Sequence, residues 1–350
     1  MFKKHPANPI FKANPNNDWE SLCVLNPAVV YDDELKKFVM VYRCAGNDLR
    51  HQIKLGLAIS DDGINFERAL DKPVLTADFN DFDGGCIEDP RLVKIGDLYY
   101  LTYAARTYAP GQYWLDDVWE EGISKPPMYL EKSDVYGEEL PILAKNNITM
   151  TCLAVTKDFK HYKKLGRITE ATVDNRDVVL FPEKISGKYW IITRPKFKDA
   201  EGIKMPSIWI GATDDLLEYA KPELLMTGET DWEVQRIGAG TSPIKTEHGW
   251  LLIYHGVDEK GIYRNGAVLL DLENPRKILA RTKDFIMEPD QPFEFEGFYD
   301  GCVFPTSAVV KDNILYVYYG CADKYIGLAT CKFDEFVNYL AKECKVDEQL

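Results

Sequence analysis

The sequence predicts an all-β protein that folds as a five-bladed β-propeller with a short C-terminal helix, and three observations support this prediction. Five segments repeat one pattern: a proline, an apolar run, a polar turn and a β-rich run that ends near Tyr or Thr. Each unit has a second half with an alternating apolar strand, an Asp-rich turn and a shorter strand. Two hairpins form a four-stranded blade, and five blades close a ring without long exposed edges. Many short strands at regular spacing also argue against a doubly wound α/β sheet.

The repeat sets the order of the blades and locates one insertion. The repeated segments are NPAVVYDDELKKFVMVYR (26–43), DPRLVKIGDLYYLTYAA (89–105), FPEKISGKYWIITRP (181–195), SPIKTEHGWLLIYHGV (242–257) and FPTSAVVKDNILYVYYG (304–320). Their prolines are 63, 92, 61 and 62 residues apart, so the second unit is about 30 residues longer than the others. The excess corresponds to an insertion at about 107–147 in the second blade, where prolines, acids and aromatics interrupt the β pattern.

Both ends of the chain are expected to pack outside the ring. The N-terminal segment precedes the first repeat, and FDEFVNYLAKEC near the C-terminus is expected to form the short helix. Closed all-β architectures exceed the usual domain length as one unit, so residues 1–350 are predicted to form a single domain.

Composition excludes several classes of function. The 350 residues carry a formal net charge of −14, which argues against nucleic-acid and anionic-membrane partners. No apolar stretch approaches the ~20 residues of a spanning helix, and the N-terminus lacks the apolar core of a signal peptide. The eight cysteines form no CxxC pair, so free thiols are expected rather than a zinc or redox site. His51, His161 and His248 are expected at the surface. We therefore expect a soluble, cytoplasmic protein without a bound metal.

Propeller geometry places candidate functional residues around one mouth of the central channel, because the first strand of each blade lines that channel. The residues just before the repeated prolines are Asn26, Asp89, Phe181, Ser242 and Phe304. The second strands end at the equivalent positions Arg43, Ala104, Arg194, His255 and Gly320. Structural repetition would favour one residue type at each position, so this variation in polar chemistry predicts a site.

Asp89, in the stretch GGCIEDPRL, is the first candidate in this site. Glu88 and Asp89 would ordinarily be turn acids, because Pro90 restricts the residue before it to an extended conformation. The position of Asp89 at the predicted channel mouth favours a functional role instead. Glu88 is expected on the opposite face of the strand, and Arg91 is expected to serve as an ion-pair partner.

A basic set of four residues is the second candidate: Arg176, Arg194, Arg236 and His255. Each lies in or beside an inner-strand pattern of a different blade rather than in the Asp-rich outer turns. They are either solvated or salt-bridged surface residues, or they converge on an anion that offsets their mutual repulsion. The planar fork of arginine suits phosphate oxygens.

Eight motifs in order carry a resemblance to a known family. They are NPAVV…VYR, EDPRL, RDVVLFPEKI, TRP, RIGAGTSPI, WLLIYHGV, GAVLLDLENP and DGCVFP. With these motifs the chain resembles glycoside hydrolase family 130, whose best-known members are inverting β-mannoside phosphorylases on a five-bladed propeller. The resemblance runs from about residue 8 to 330, apart from the insertion at 107–147.

The resemblance assigns roles residue by residue. Asp89 corresponds to the family's sole catalytic acid, which passes its proton through the mannose 3-hydroxyl. The phosphate-binding set corresponds to Arg176, Arg194, Arg236, His255 and Tyr263. The substrate-binding contacts with mannose correspond to Asn26, Arg43 and Asp300. Family members often carry Lys where Arg176 and Arg236 stand, which keeps the charge but alters the geometry. The hydrolytic branch loses these basic residues, and this chain keeps them.

The implied reaction cleaves β-1,2- or β-1,4-linked manno-oligosaccharides with inorganic phosphate, giving α-D-mannose 1-phosphate and a shortened sugar. Inverting hydrolysis needs an acid and a base about 6.5–9.5 Å apart, whereas phosphate is itself the nucleophile. Phosphate is thus a co-substrate, no cofactor is expected, and the resemblance implies a homo-oligomer.

Two alternatives stay open. An inverting mannosidase would use water and a second carboxylate, for which the candidates are Asp177, Glu183, Glu233 and Asp300. A non-catalytic sugar-binding propeller would have no need of the basic set. The insertion, with Tyr113, Trp114 and Trp119, is expected either to wall the acceptor side of the site or to form an oligomer contact.

Overall fold

The protein is a closed ring of five sheets. The computed structural model describes residues 1–48, 51–78, 83–107, 148–170, 173–196, 202–203 and 205–346. Within these residues the strands form five antiparallel sheets, which follow one another along the chain. Each sheet contacts the next, and the fifth contacts the first through their inner strands. This arrangement confirms the predicted five-bladed β-propeller.

The blades are numbered from the N-terminus. Blade 1 contains β2 (Cys23–Asp32), β3 (Lys37–Ala45), β4 (Lys54–Ser60) and β5 (Glu67–Arg68), and blade 2 contains β6 (Cys86–Ile95), β7 (Leu98–Arg106), β8 (Met150–Thr156) and β9 (Lys163–Arg167). Blade 3 contains β10 (Asn175–Leu180), β11 (Tyr189–Pro195), β12 (Ile208–Thr213) and β13 (Glu223–Met226). Blade 4 contains β14 (Arg236–Ala239), β15 (Ile244–Thr246), β16 (Gly249–Val257), β17 (Tyr263–Leu270) and β18 (Ile278–Arg281). Blade 5 contains β19 (Val303–Lys311), β20 (Ile314–Cys321), β21 (Tyr325–Lys332) and β1 (Lys3–Lys4).

The N-terminus is part of the ring, not outside it as the sequence suggested. Strand β1 pairs with β21 through Lys3 and Thr330, so the first residues of the chain supply the outermost strand of the last blade. Backbone hydrogen bonds between the two ends of the chain hold the ring closed. The predicted C-terminal helix is present as α1 (Phe333–Glu343), which buries Phe336 and Leu340 against blades 4 and 5.

The hydrophobic core lies between neighbouring blades rather than inside any one of them. Five clusters of buried side chains occupy the five spaces between adjacent blades. In one of them Val41 of β3 belongs to the same cluster as Leu101 of β7. Each fully buried side chain of this size contributes about 1.5–3 kcal/mol. Because neighbours cover both faces of a blade, its middle strands are buried at almost every position, as in β16.

A β-bulge interrupts the inner strand at the channel mouth in blades 1, 2, 3 and 5. In each case two residues of the inner strand face one residue of the second strand. The first residue of the bulge is Asn26, Asp89 and Asp177 in blades 1 to 3, and all three have left-handed φ values of 45°, 48° and 57°. This conformation costs about 1–2 kcal/mol for a non-glycine residue. Pro90 had suggested an extended conformation for Asp89, but the backbone of Asp89 is left-handed instead. The bulge turns its side chain toward the mouth.

Strand pairing corrects the alignment that was based on prolines. The second-strand positions Arg43, Ala104, Arg194, His255 and Gly320 are equivalent as predicted, since they pair with Leu25, Glu88, Arg176, Gly238 and Phe304. In blade 3, however, the residue that matches Asn26 and Asp89 is Asp177, not Phe181. Ser242 also lies beyond the matching position in blade 4, whereas Phe304 lies one residue before the matching position in blade 5. Proline restrains φ locally but does not set the register between strands.

A second repeat stabilises the blades and was not predicted. In four blades a buried tyrosine of the second strand donates its hydroxyl hydrogen to a buried carboxylate, which also contacts a cation on the outermost strand. The sets are Tyr42, Glu20 and Arg68; Tyr103, Asp83 and Lys164; Tyr254, Glu233 and Arg281; and Tyr319, Glu294 and Lys4. In blade 3 Thr193 takes the tyrosine position, and its buried hydroxyl has no hydrogen-bond partner in the described part of the chain.

The predicted insertion falls on residues that the structure describes only at its edge. Arg106 ends β7 and Met150 begins β8, while residues 108–147 lie outside the described residues. The insertion and the single-domain organisation therefore remain predictions. Within the described ranges, no helix is long and apolar enough to cross a membrane.

Candidate active site

Asp89 lies at the channel mouth, in contact with two of the predicted mannose-binding residues. Its Oδ1 accepts a hydrogen bond of 2.7 Å from Nδ2 of Asn26 and one of 2.8 Å from Nη1 of Arg43. Gly320 leaves the space that Asn26 occupies, since a Cβ at that glycine would overlap the Asn26 amide. The structure thus brings together three residues that the sequence proposed, and blade 5 makes room for them.

The carboxyl group of Asp89 is ionised in the unliganded protein. Burial opposes its ionisation, but the charges of Arg43 and Arg91 and the hydrogen bond from Asn26 outweigh burial and lower the pKa of Asp89 to about 2. A general acid has to carry a proton before it can donate one. Asp89 therefore needs a change in its surroundings, such as the arrival of an anion, before it can act as an acid.

Glu88 and Arg91 support the site from either side of Asp89. Glu88 is buried, with Oε2 lying 3.4 Å from Nη1 of Arg43 and Oε1 lying 3.3 Å from Nε of Arg106. Arg91 is also buried, and it donates to the carbonyl oxygens of Asp89 at 2.9 Å and of Gly240 at 2.6 Å. Arg91 thus braces the backbone of blade 2 against blade 4, whereas the sequence had suggested an ion pair.

Asp323 is a carboxylate of this site that the sequence analysis missed. It occupies the turn between β20 and β21 with a φ of 55°. Burial raises the pKa of Asp323 to about 6; the charge of Arg43 opposes the shift, and those of Asp89 and Glu88 add to it. Two carboxylates with well-separated pKa values therefore lie in the field of one arginine, which is the pattern expected of a functional site.

Asp300, the third predicted mannose-binding residue, is exposed in the segment between the 3-10 turn Pro292–Glu294 and β19. Its neighbour Tyr299 extends to the basic set, with its hydroxyl 3.5 Å from Nη2 of Arg236. A direct role of Asp300 in sugar binding stays a prediction. Asp323 is a carboxylate on which the charges of both Asp89 and Arg43 act.

The predicted basic set comes together on blades 3 and 4, with two residues on each, and not on four different blades as the sequence suggested. Arg176 and Arg194 are paired across β10 and β11, and His255 of β16 lies beside the opening strand of blade 4. Nη2 of Arg236 donates to the hydroxyl of Tyr263 at 2.8 Å. The charges of Arg194 and Arg236 act on the His255 imidazole, so the four residues share one region of the channel mouth. Arg194 and His255 are buried rather than solvated, while Arg176 and Arg194 form ion pairs with Asp174 and Asp177.

His255 has unused hydrogen-bonding capacity. It is completely buried, and neither ring nitrogen has a hydrogen-bond partner among the described residues. Nη1 of Arg194 is likewise buried and unpaired within the described ranges. Burial, reinforced by the charges of Arg194, Arg236 and Arg91, lowers the pKa of His255 to about 3, so the imidazole is neutral at pH 7. Unsatisfied buried groups of this kind are costly, and a bound anion would satisfy them.

Two further cations, Lys196 and Arg106, adjoin the basic set and were not predicted from the sequence. Burial lowers the pKa of Lys196. The positive charges of Arg176, Arg194 and Arg106 lower it further. Asp174 is the nearby counter-ion, with Oδ2 lying 2.8 Å from Nη2 of Arg176 and Oδ1 lying 3.8 Å from Nζ of Lys196. The positive region therefore extends from the channel mouth to the end of β7.

His51 was expected at the surface and is buried instead. Only 1% of it is exposed, and burial together with the charge of Arg43 lowers the pKa of its imidazole to about 3. His161 is exposed and His248 is partly exposed, as expected. The position of His51 beside Arg43 reflects the loop after β3, which the sequence did not indicate.

The candidate second carboxylates do not all reach the site. Glu233 is held inside blade 4 by Tyr254 and Arg281, and Glu183 is an exposed partner of Lys245. Asp177 is at the site, but its Oδ2 accepts a hydrogen bond of 2.5 Å from Nε of Arg194. Across the described ranges, no group of three His, Cys, Asp or Glu residues is arranged to hold a metal ion.

The chain is similar to known proteins along most of its length. The chain is 36% identical over 335 residues to a 1,2-beta-oligomannan phosphorylase from Thermoanaerobacter sp. (strain X514), covering 93% of this chain and 96% of that protein. It is 28% identical over 355 residues to a beta-1,4-mannooligosaccharide phosphorylase from Ruminococcus albus, covering 98% and 92% of the two chains. Among solved structures, beta-1,2-mannobiose phosphorylase from Listeria innocua with bound beta-1,2-mannobiose matches with a TM-score of 0.75 at 26% identity, covering 97% of this chain and 99% of that one.

The match to a family model spans most of the chain. Residues 1–116 and 144–342 match a model described as beta-1,4-mannooligosaccharide phosphorylase. The residues left unmatched, 117–143, fall within the segment that the repeat pattern predicts as an insertion. The chain therefore belongs to glycoside hydrolase family 130.

Proposed function

We propose that the protein is an inverting β-mannoside phosphorylase, which uses inorganic phosphate to cleave β-linked manno-oligosaccharides to α-D-mannose 1-phosphate and a shortened sugar. The observation that carries the proposal is that Asp89 adjoins a basic set in which Nη1 of Arg194 and both ring nitrogens of His255 are buried without a hydrogen-bond partner among the described residues. Named phosphorylases of β-mannosides among the relatives support the same reaction.

The proposed mechanism divides the two halves of the site between the two partners of the reaction. The mannose ring lies over Asn26, Arg43 and Asp323, beside Asp89. An oxygen of phosphate attacks C1 as the bond from C1 to the glycosidic oxygen breaks. The proton of the Asp89 carboxyl passes to that leaving oxygen, and attack from the opposite face converts the β linkage to an α phosphate ester. No second protein base is required, because phosphate is the nucleophile.

The basic residues position phosphate and neutralise its charge. Arg176 and Arg194 present planar donor groups that suit two phosphate oxygens each. His255 is neutral and carries one donor and one acceptor, and Arg236 is held toward the site by Tyr263. Holding the nucleophile in line with C1 contributes to the rate through orientation, as is general for oriented reactants.

The low pKa of Asp89 predicts that the productive complex takes up a proton. Because the carboxyl is ionised in the free protein at pH 7, binding of mannose and phosphate has to raise its pKa before the acid can act. Calorimetric titration of phosphate into protein saturated with mannose, in two buffers of different ionisation enthalpy, should show uptake approaching one proton. The Asp89→Asn variant, titrated in parallel, should lack that uptake. Equal proton uptake by the two proteins would contradict this role of bound phosphate.

Asp323 predicts a pH-dependent stability. Its pKa is raised in the folded state, so its contribution to stability is present below pH 4 and is lost as the pH rises through about 6. A difference of this size between the folded and unfolded pKa corresponds to about 2–3 kcal/mol. Asp323→Asn should therefore unfold at higher urea than the wild type at pH 8, and this difference should be much smaller at pH 4.5. A variant that is equally affected at both pH values would show that the charge of Asp323 is not the cause.

We propose β-1,2-mannosides as the preferred substrates over β-1,4-mannosides. The relatives at 36% and 35% identity are named for β-1,2 linkages, whereas the β-1,4-mannooligosaccharide phosphorylase is 28% identical. The two linkages place the acceptor sugar differently over the same mannose position, so they test the acceptor side of the site alone.

One assay tests the reaction and the linkage together. The protein is incubated with β-1,2-mannobiose or β-1,4-mannobiose, each with and without phosphate, and the products are identified. Mannose 1-phosphate that appears only with phosphate supports phosphorolysis, and faster turnover of the β-1,2 substrate supports the proposed linkage. Release of free mannose alone, independent of phosphate, would instead identify a mannosidase, and absence of any turnover would favour a sugar-binding protein.

A further inference from the structure

Asp177 is an ionised carboxylate in the middle of the region where the proposed function places phosphate. Its Oδ2 lies 2.5 Å from Nε of Arg194 and 3.6 Å from Nε2 of His255. The side chain is only 2% exposed. Burial opposes its ionisation, but the charges of Arg194 and Arg91 hold the pKa of Asp177 below its ordinary value. A second negative charge at an anion site needs an explanation, because it repels the ligand that the cations attract.

The position of Asp177 is central to the basic set. Its charge acts on Arg176 and Arg236 as well as on Arg194 and His255, so it is within electrostatic reach of all four. Any tetrahedral anion held between these residues therefore lies in the field of the Asp177 carboxylate. The arrangement does not depend on one contact.

The backbone is shaped to hold the carboxylate in this place. Asp177 is the first residue of the bulge in β10, and its left-handed φ of 57° is strained for a non-glycine residue. Gly238, on the neighbouring blade 4, leaves the space in which Asp177 approaches His255. A Cβ at this glycine would lie within about 2.5 Å of both side chains. Blades 3 and 4 both accommodate this contact.

We propose that Asp177 makes the anion subsite selective for oxyanions that carry a hydroxyl group. An ionised carboxylate only accepts hydrogen bonds, so it contacts a phosphate oxygen favourably when that oxygen is protonated. Inorganic phosphate and arsenate keep at least one hydroxyl at neutral pH, whereas sulfate and monofluorophosphate have none. The proposal rests on the proposed phosphate subsite and adds a specificity-determining residue to it.

The hydroxyl requirement also has a consequence for the reaction. When the protonated oxygen of phosphate points to Asp177, the unprotonated oxygens point to the arginines and to C1 of mannose. Asp177 thus orients the nucleophile without taking its proton or contacting the sugar. The competing interpretation is that Asp177 serves only to hold Arg194 in place, in which case sulfate and phosphate would bind comparably.

Wild-type protein tests the selectivity directly. Phosphorolysis of the preferred mannobiose is measured in the presence of sulfate, monofluorophosphate or arsenate, with inhibition constants compared to the KM for phosphate. We expect sulfate and monofluorophosphate to bind at least roughly 10³-fold more weakly than phosphate, because sites built for a hydroxyl reject analogues without it by about 10⁴-fold. Arsenate should replace phosphate: its oxygen attacks C1, and water then hydrolyses the arsenate ester to free mannose. Sulfate binding within about 10-fold of phosphate would overturn the proposal.

Two matched variants separate the carboxylate from the general field. Asp177→Asn keeps an oxygen for Arg194 and adds an amide donor, so the preference for arsenate over sulfate should fall by more than about 10-fold. Asp174→Asn changes the charge beside Arg176 by the same amount and should leave the ratio unchanged. Equal loss of selectivity in both variants would show a field effect and overturn the proposal. Thermal unfolding verifies that both variants fold. If Asp177→Asn does not fold, the anion series with the wild type and with Asp174→Asn decides whether the subsite is selective. Phosphorolysis of mannobiose by the wild type reports separately on the proposed function.

Discussion

Replacing Asp89 with asparagine is expected to lower the rate of phosphorolysis of mannobiose by about 10³-fold, because the variant cannot donate a proton to the leaving oxygen. Asparagine keeps the size of the side chain and retains an oxygen for the hydrogen bonds that Asn26 and Arg43 donate. Binding of mannose should therefore change little. Initial rates with saturating phosphate, together with calorimetric titration of mannose, measure the two quantities separately.

A substrate with a better leaving group distinguishes loss of the acid from loss of the site. Fluoride leaves β-mannosyl fluoride without protonation, so Asp89→Asn should convert that substrate and phosphate to mannose 1-phosphate at a rate near that of the wild type. The reverse synthesis from mannose 1-phosphate needs a base in the same position and should stay slow. If the variant were inactive with the fluoride as well, Asp89 would be a binding or structural residue rather than the acid.

The architecture and half of the site could be predicted because they repeat. Alternating apolar runs and polar turns recur five times, and equivalent strand ends meet at the same mouth of the channel. Asp89, Asn26 and Arg43 were found on this basis, and the structure places them in hydrogen-bonding contact. Prediction worked where a local pattern and the symmetry of the fold carried the same information.

Asp177 shows where the repeat misled. Proline served as the marker of the inner strand, but the pairing of Arg176 with Arg194 sets the register in blade 3 and leaves Pro182 several residues beyond the bulge. Alignment on the second strands, with Arg194 matched to Arg43, would have placed Asp177 beside Asn26 and Asp89. The error was in the choice of reference position and not in the fold.

Other residues could not be predicted from local pattern at all. Asp323 and Lys196 have the composition of ordinary turn and strand-end residues, and only the closed ring brings their charges to the site. The same holds for the buried tyrosine sets, whose members are far apart in sequence: Lys4 contacts Glu294 across the whole chain. A single sequence gives no sign of such pairings, because each partner is unremarkable in its own segment.

The buried carboxylates of these sets are expected to be the most sensitive positions for stability. Replacing Glu233 with alanine should lower the free energy of unfolding by about 3–5 kcal/mol, because it leaves a buried arginine without its counter-charge. Glu233 is fully buried, and its Oε1 accepts hydrogen bonds from the hydroxyl of Tyr254 at 2.7 Å and from Nη2 of Arg281 at 2.9 Å. Its Oε2 also accepts from the backbone N–H groups of Glu229 and Thr230.

Glu229 is a matched control for this prediction, because it contacts the same arginine from the surface. Its Oε1 lies 2.9 Å from Nη1 of Arg281, but its side chain is 67% exposed. Exposed pairs contribute at most about 1 kcal/mol, so Glu229→Ala should unfold in urea almost as the wild type does. The comparison holds the arginine partner and the distance nearly constant, and it changes burial together with the additional hydrogen bonds that Glu233 accepts. If both variants lost equally little free energy of unfolding, the Arg281 charge would be satisfied from solvent. The tyrosine sets would then stabilise the blades through packing and not through buried charge.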